Sequence, residues 1–254
     1  MNETDLPLDF DGIGPEPFGL EDSDLIQSHS RIFAAFHHWP SRITRRQTLC
    51  AVAAVRDWDR RLGRSVLIHL ISQAGQGSLA EVFRQSLPSL EAIAFTNWEA
   101  IEEAMRTGLM AYLESLPESR SYLCDVADCA LTLNSLPPVD GTPTNDTAIG
   151  PWQLRPGVVL RHYAHDAFRL YDRILHQPTE LPESSLRRSV STSYLLFRRP
   201  DETNHGVPLP PELASGIERE LTSPSPSASV PDDVTAALKQ LAKMGLGDRR
   251  SPGS

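Results

Sequence analysis

A long run of helical periodicity over residues 79–136 is the feature that most constrains the fold. Apolar residues recur there at three- and four-residue spacing, most clearly in WEAIEEAMRTGLMAYLESLP and SRSYLCDVADCALTLNSL. Thr96 and Glu99 form the capping-box pattern TNWE, which predicts a helix start. No amphipathic helix of this length buries its apolar face alone, so the pattern predicts helices that pack on each other.

The start of the chain carries most of its net charge. The first 28 residues contain eight acidic residues and no Lys or Arg, in a protein with a formal net charge of -9. Residues 1–24 lack apolar periodicity, which predicts a flexible acidic arm and not a signal peptide. No stretch reaches the roughly 18 apolar residues of a membrane span. The three cysteines, Cys50, Cys124 and Cys129, form no CxxC pair, and these features together predict a soluble cytoplasmic protein with free thiols.

The residues between the arm and the strongest helical run also have a helical pattern. A helix is predicted over residues 42–62, where Gly63 supplies a stop. The apolar segment VLIHLI, residues 66–71, is too short for its periodicity to distinguish a strand from a helix. Residues 25–136 are therefore predicted to form one helical domain.

The composition changes at residues 137–152. This stretch, PPVDGTPTNDTAIGPW, loses periodicity and is rich in Pro, Gly, Thr and Asp, which predicts an interdomain linker. VVLRHY, residues 158–163, predicts a strand, and AFRLYDRIL stays open between a short helix and an extended segment. YLLFRR and GVPL, residues 194–199 and 206–209, predict a β-hairpin around a polar turn.

Two helices are predicted after the hairpin. PPELASGIEREL has Pro in its first turn, and DDVTAALKQLAKMG has acids at its start, lysines near its end and Gly245 as its stop. A strand, a hairpin and helices in this order resemble a winged helix. We therefore predict an α+β, mainly α protein. Its helical domain is followed by a small winged-helix-like domain, residues 153–246, and by a disordered tail, residues 247–254.

Motifs for an independent active site are weak in this chain. His162 and His165 in HYAHD would share one face on a helix, as metal ligands do, but point to opposite faces on a strand, which the local pattern favours. The sequence contains no GxSxG, GxxxxGK[ST] or GxGxxG pattern. The spacing of Cys124 and Cys129 suits buried structural thiols better than a reactive pair. No catalytic residue and no metal ligand is predicted.

Basic residues near the hairpin indicate a binding surface. Arg198 and Arg199 would suit DNA phosphates, but the chain is acidic, and the helix after the hairpin carries Glu212, Glu218 and Glu220 where base-reading side chains are expected. An extended peptide could instead add a strand to a free edge of the hairpin, where arginines would attract its acidic residues. Docking to an acidic partner or to the acidic arm of the same chain is the simpler alternative.

The order of these elements over residues 79–247 resembles a known family. LRPGVVLRHYAHDAFRLYDRIL, STSYLLFRRPDETNHGVPLPPELASGIEREL and the final DDVTAALKQLAKMGLG, after the helical half, are similar to the partner proteins of multinuclear iron-dependent oxidases in RiPP biosynthesis. These include the methanobactin partner and the 3-thiaglutamate partner. The N-terminal 75 residues do not match a short methanobactin-type partner.

The resemblance implies a heterodimer in natural product biosynthesis. A TIM-barrel subunit would hold the iron and modify a cysteine of a precursor or carrier peptide, while this chain, with no cofactor of its own, would bind the peptide through a RiPP recognition element. The 3-thiaglutamate type, in which a carbon is removed from a C-terminal cysteine, is favoured over oxazolone and thioamide formation. The peptide-binding residues are then expected to be Tyr194, Leu196, Arg198, Arg199, Val207, Leu209, Leu213 and Ile217.

Two other functions stay open on the sequence alone. A winged-helix DNA-binding transcriptional regulator would use the same hairpin on a duplex, although nucleic acid is the less expected partner. A small metalloenzyme would use HYAHD.

Overall fold

A computed structural model describes residues 57–74, 97–143, 151–223 and 230–249. The predicted acidic arm, Cys50 and most of the helix predicted over residues 42–62 lie outside the described residues. The described part combines helices with a few antiparallel strands, so it is an α+β structure that is mainly α. None of its helices combines the length and the apolar character that crossing a bilayer requires.

The helical part of the described chain consists of residues 57–62 and six numbered α-helices. Residues 57–62 are helical, and Gly63, at a φ of 79°, separates them from the next helix, as predicted. The numbered helices are α1 Arg64–Ala74, α2 Trp98–Glu114, α3 Tyr122–Ser135, α4 Ala167–His176, α5 Pro211–Thr222 and α6 Asp232–Lys243, and a 3-10 turn, Glu118–Arg120, precedes α3.

Five short strands form two antiparallel sheets. The strands are β1 Trp152–Leu154, β2 Val158–Tyr163, β3 Thr192–Arg198, β4 Asn204–Leu209 and β5 Gly247–Arg249. A three-stranded sheet has the order β2-β3-β4, and β1 pairs with β5. The predicted hairpin is therefore confirmed as β3 and β4, and β3 is the central strand.

The three-stranded sheet lies between two hydrophobic cores. Tyr194 and Leu196 point to the first core, which also contains the buried faces of residues 57–62 and helices α1 to α4. Leu195 and Phe197 point to the second core, with α5 and α6. Successive side chains of a strand face opposite sides, so apolar residues in sequence cover both faces of β3. The first core thus joins the helical half to the sheet.

Local sequence signals predict where most helices begin and end, and one helix start differs by a single residue. The segment VLIHLI lies inside α1, so it is helical, and AFRLYDRIL lies in α4. Asn97 caps α2, because its side-chain oxygen accepts a hydrogen bond from the Ala100 N–H at 3.2 Å, and Thr96 of the predicted capping box lies outside the described residues. Asn and Thr are both good caps, and the pattern TNWE offers them in adjacent positions. Gly245, at a φ of 69°, follows the end of α6 as predicted.

The ends of the predicted linker, 137–152, are packed parts of the fold. Val139 is buried in the second core, and its N–H donates to the Arg198 carbonyl at 2.7 Å. Trp152 is also buried there and pairs with Arg249 across the β1–β5 sheet. The predicted disordered tail, 247–254, is therefore wrong for its first residues, Gly247–Arg249, because β1 supplies a hydrogen-bonding partner that composition does not reveal.

His69 is a buried histidine held in its neutral form. Its Nδ1 lies 2.9 Å from the Pro178 carbonyl oxygen and its Nε2 lies 3.1 Å from the Tyr122 hydroxyl. A carbonyl oxygen only accepts, so Nδ1 carries the proton and Nε2 accepts from Tyr122. Burial raises the pKa of Tyr122 to about 12 and lowers the pKa of His69 below 6.5.

The free energy of unfolding is expected to decrease below about pH 6.5 through His69. Above that pH, His69 is neutral in both states; below it, the unfolded chain takes up a proton that the folded chain resists, which favours unfolding. His69→Gln should flatten this dependence in urea titrations between about pH 7 and pH 5. His176→Gln, at an exposed position, is the control. If the free energy of unfolding changed equally with pH in all three proteins, His69 would not be the group responsible.

Candidate functional site

A tight turn between β3 and β4 fixes the tip of the hairpin. The Arg199 N–H donates to the Thr203 carbonyl and the Glu202 N–H donates to the Arg199 carbonyl, both at 2.9 Å. Asp201 accepts from the hydroxyl and the N–H of Thr203, and these bonds hold the pKa of the Asp201 carboxyl below its usual value. Glu202 has a φ of 66°, which is uncommon for a residue other than glycine. The tip is thus a defined turn.

The outer edge of β4 has no strand partner among the residues that the structure describes. Arg199 and Thr203 are hydrogen-bonded partners across the hairpin, so alternation along an antiparallel ladder turns the backbone groups of Asn204, Gly206 and Pro208 outward. Pro208 has no N–H to donate, which fits an outward position. Among the described residues, no strand pairs with this edge. It therefore offers outward N–H groups at Asn204 and Gly206.

Aromatic side chains support β4 from the side of the first core. A Cβ at Gly206 would lie within 3.0 Å of several Phe168 ring atoms, so the ring lies directly on the backbone of the strand. The Asn204 amide donates to the Tyr171 hydroxyl at 2.7 Å. These contacts explain why a glycine stands in an edge strand, and they hold the edge in place.

The structure divides the six apolar and aromatic residues predicted to bind a peptide into two groups. Tyr194 and Leu196 are 3% and 0% exposed in the first core, and Ile217 is 0% exposed in the second. They cannot form the surface of a platform, so this part of the prediction is wrong. The reason is that β3 is covered on both faces. The half-buried residues, which pack against the second core near the β4 edge, are Val207, Leu209 and Leu213.

The two arginines of the hairpin have partners within it. Arg198 Nη2 lies 3.4 Å from the Glu202 carboxylate, and the Arg198 side chain is 27% exposed. The Arg199 guanidinium lies 5.0 Å from the ring centroid of Phe197, and His205 stacks on the same ring at 5.2 Å. Since Glu202 neighbours Arg198, the positive charge at the tip is smaller than the sequence indicates.

The histidines of HYAHD face different elements. His162 is exposed; its Nδ1 lies 2.8 Å from the Ser193 hydroxyl and its Nε2 lies 3.5 Å from Glu218 on α5. His165 is buried and faces Asp125 on α3. β2 is a strand as predicted, but His165 lies beyond its end, and the two rings have different partners. Within the described ranges, no group of three or more His, Cys, Asp or Glu residues has the arrangement of a metal site.

His165 belongs to a hydrogen-bonded relay that the sequence did not reveal. Its Nδ1 lies 2.7 Å from Asp125 Oδ2, and its Nε2 lies 3.2 Å from the Ser121 hydroxyl. Ser121 is the residue before α3, and Asp125 stands one turn later. That spacing places both residues on one helix face, but nothing local connects them to a histidine 40 residues away.

The two described cysteines are free and shielded. Cys124 is half-buried and Cys129 is buried, which confirms free thiols at these two positions. Burial raises the pKa of Cys124 to about 11 and raises the pKa of Cys129 further. Because the thiolate is the reactive form, neither thiol is prepared for nucleophilic chemistry at neutral pH.

Comparisons with known proteins assign no family to the chain. No family model matches it, and no curated protein shows significant similarity to it. The resemblance to oxidase partner proteins therefore remains a prediction.

Proposed function

We propose that this chain is an accessory subunit that binds a ribosomally made precursor or carrier peptide for an iron-dependent oxidase. The observation that supports it best is the edge of β4, which no strand in the described part of the chain pairs with and which has outward N–H groups at Asn204 and Gly206 and a fixed turn at one end. An extended peptide could pair with this edge through its main chain. A strand that is held by Phe168 and Tyr171 loses little conformational freedom on binding, which favours affinity.

In this proposal, apolar side chains of the peptide pack beside the outer edge of β4. Val207 and Leu209 lie on β4, and Leu213 lies on α5 after it; all three are half-buried. Alternate residues of an added strand would face this side. Arg198 and Arg199 at the turn end favour an acidic residue of the peptide, although Glu202 offsets part of their charge.

The hairpin resembles the wing of a winged helix more closely than the rest of the domain resembles that fold. The strand β2, the hairpin and the helix that follows it occur in the proposed order. A helix-turn-helix pair between the first strand and the hairpin is replaced, in the described residues, by the single helix α4. We propose that the hairpin acts as a wing for a peptide, since the exposed Glu212 and Glu218 of α5 oppose a DNA backbone.

The oxidation itself is assigned to the partner. The proposed partner is a TIM-barrel subunit that holds the iron ions and alters a cysteine of the peptide. Carbon excision of the 3-thiaglutamate type is favoured over oxazolone and thioamide formation. The role of this chain is then to hold the peptide, and its own residues take no part in the redox step.

The first test is co-expression with neighbouring open reading frames, followed by pull-down, iron analysis and mass spectrometry of the peptide. We expect a stable complex with an iron-bearing barrel protein, and modification of a cysteine peptide only when both chains are present. A chain that purifies alone and is retained on duplex DNA, with a steep salt dependence, would refute the proposal and favour a transcriptional regulator.

A substitution at Asn204 tests the edge within that complex. Asn204→Pro removes an outward N–H and places a ring where the peptide backbone would approach, so peptide affinity should fall roughly tenfold or more. Asn204→Ala removes the same bond to Tyr171 but keeps the N–H, and it should change affinity much less. Fluorescence anisotropy with a labelled precursor peptide measures both. Equal losses would place the peptide elsewhere.

A further inference from the structure

We propose that Ser121, His165 and Asp125 form a site that hydrolyses carboxylic esters, an activity beyond the proposed peptide binding. The nucleophile would be the Ser121 hydroxyl, 3.2 Å from His165 Nε2. The base would be His165, and Asp125 would orient it through a 2.7 Å contact to Nδ1. Such an arrangement is recognised by geometry and roles, independently of the order of the residues in the chain.

The contact with Asp125 fixes which imidazole nitrogen of His165 carries a proton. An ionised carboxylate only accepts hydrogen bonds, so the Nδ1 beside it carries a proton. The neutral ring then presents the lone pair of Nε2 to the Ser121 hydroxyl, which is the form that can accept the serine proton. The side chains of His165 and Asp125 are only 4% and 19% exposed, which reduces competition from water.

The backbone of His165 is anchored on both sides. Its N–H donates to Asp125 at 2.9 Å, and its carbonyl accepts from the Ala167 N–H at 2.8 Å and from the Thr192 hydroxyl. The base is thus held in position before any substrate arrives, as efficient proton transfer requires. The Ser121 hydroxyl also lies 2.8 Å from the Glu118 carbonyl, an alternative acceptor that would be given up when Ser121 donates to His165.

The start of α3 supplies donors for a developing oxyanion. α3 begins at Tyr122, immediately after Ser121. Within the described part of the chain, the N–H groups of Tyr122 and Leu123 donate to no backbone carbonyl, as is usual in a first helical turn. They carry the partial positive charge of a helix N-terminus and directly follow the nucleophile in the chain. Residues 118–120 are exposed and Ser121 is half-buried, so an ester would approach from the surface.

The reaction needs no co-reactant except water. The Ser121 oxygen bonds to the ester carbonyl carbon while its proton moves to His165 Nε2. The bond from that carbon to the alcohol oxygen then breaks, and the alcohol leaves with the proton from Nε2. Water, deprotonated by the same nitrogen, attacks the acyl-serine, releases the carboxylic acid and restores the Ser121 hydroxyl. Nothing is oxidised or reduced.

The test uses the full chain, purified alone, with a fluorophosphonate probe and with p-nitrophenyl acetate. We expect the probe on Ser121 by peptide mass spectrometry, and hydrolysis that falls at least about a hundredfold in Ser121→Ala. Asp125→Asn should lower the rate and alter its pH profile, which a purely structural contact would not do. The control is Ser115→Ala, whose hydroxyl bonds only the Tyr112 carbonyl among the described residues.

Probe attachment in the unmodified chain tests the proposal even if a variant fails to fold. A wild-type chain that takes no probe at Ser121 would overturn it, as would hydrolysis that Ser121→Ala retains. Both results are independent of peptide binding, so failure here leaves the accessory-subunit proposal to its own test.

Discussion

Replacing Leu196 by alanine is expected to lower the free energy of unfolding by about 3 kcal/mol. Leu196 is 0% exposed in the first core, on the central strand of the sheet. β2 and β4 hold the backbone of β3 on both sides, so the strand cannot move inward to fill the space. The loss therefore combines the transfer of the removed methyl groups with the cost of a cavity.

The matched control is Leu181→Ala. Leu181 is 54% exposed, and the same substitution should change the free energy of unfolding by less than about 0.5 kcal/mol. Urea titrations of the three proteins, with the slope of each transition checked for equality, measure the difference. A similar decrease in the free energy of unfolding at both positions would show that Leu196 does not lie in a packed core. Leu196 could then be a surface residue, as the sequence predicts.

Burial of β3 could have been read from its own sequence. A strand with one solvent-exposed face alternates apolar and polar residues. Residues 194–197, in contrast, are all apolar or aromatic. A continuous run of this kind is typical of a strand covered on both faces. The hairpin was predicted from turn residues and short apolar runs, and it is confirmed, but this second signal excludes Tyr194 and Leu196 from a surface.

The relay of Ser121, His165 and Asp125 could not be predicted from local patterns. Its contacts join Ser121 and Asp125, at the start of α3, to His165, which follows β2. Only tertiary packing brings these residues together. The spacing in HYAHD indicates only whether His162 and His165 share a face of one element, and it does not reveal partners on another element. The packed ends of the predicted linker are a different case, because the apolar residues Val139 and Trp152 are a local signal of burial in a stretch whose Pro and Gly indicate a loop.

Gly245→Ala is expected to lower the free energy of unfolding by about 2–4 kcal/mol, because the backbone there is both strained and crowded. Gly245 has a φ of 69°, in the left-handed region that disfavours any Cβ. A Cβ there would also lie less than 3.0 Å from backbone atoms of Gly141. Neither segment can yield easily, because Leu246 is buried directly after Gly245 and Val139 is buried two residues before Gly141.

Gly63→Ala separates the cost of a positive φ from the cost of the close contact with another segment. Gly63 has a similar φ of 79°, but the nearest atom to its Cβ would be Asn134 Nδ2 at 3.9 Å. This variant should lose only about 1–2 kcal/mol, from backbone strain alone. Urea titrations of both variants measure the difference, which is the cost of forcing apart the two packed segments that meet at Gly141 and Gly245. Equal losses would mean that these segments separate freely and that residues 139–143 behave as the linker their composition predicts.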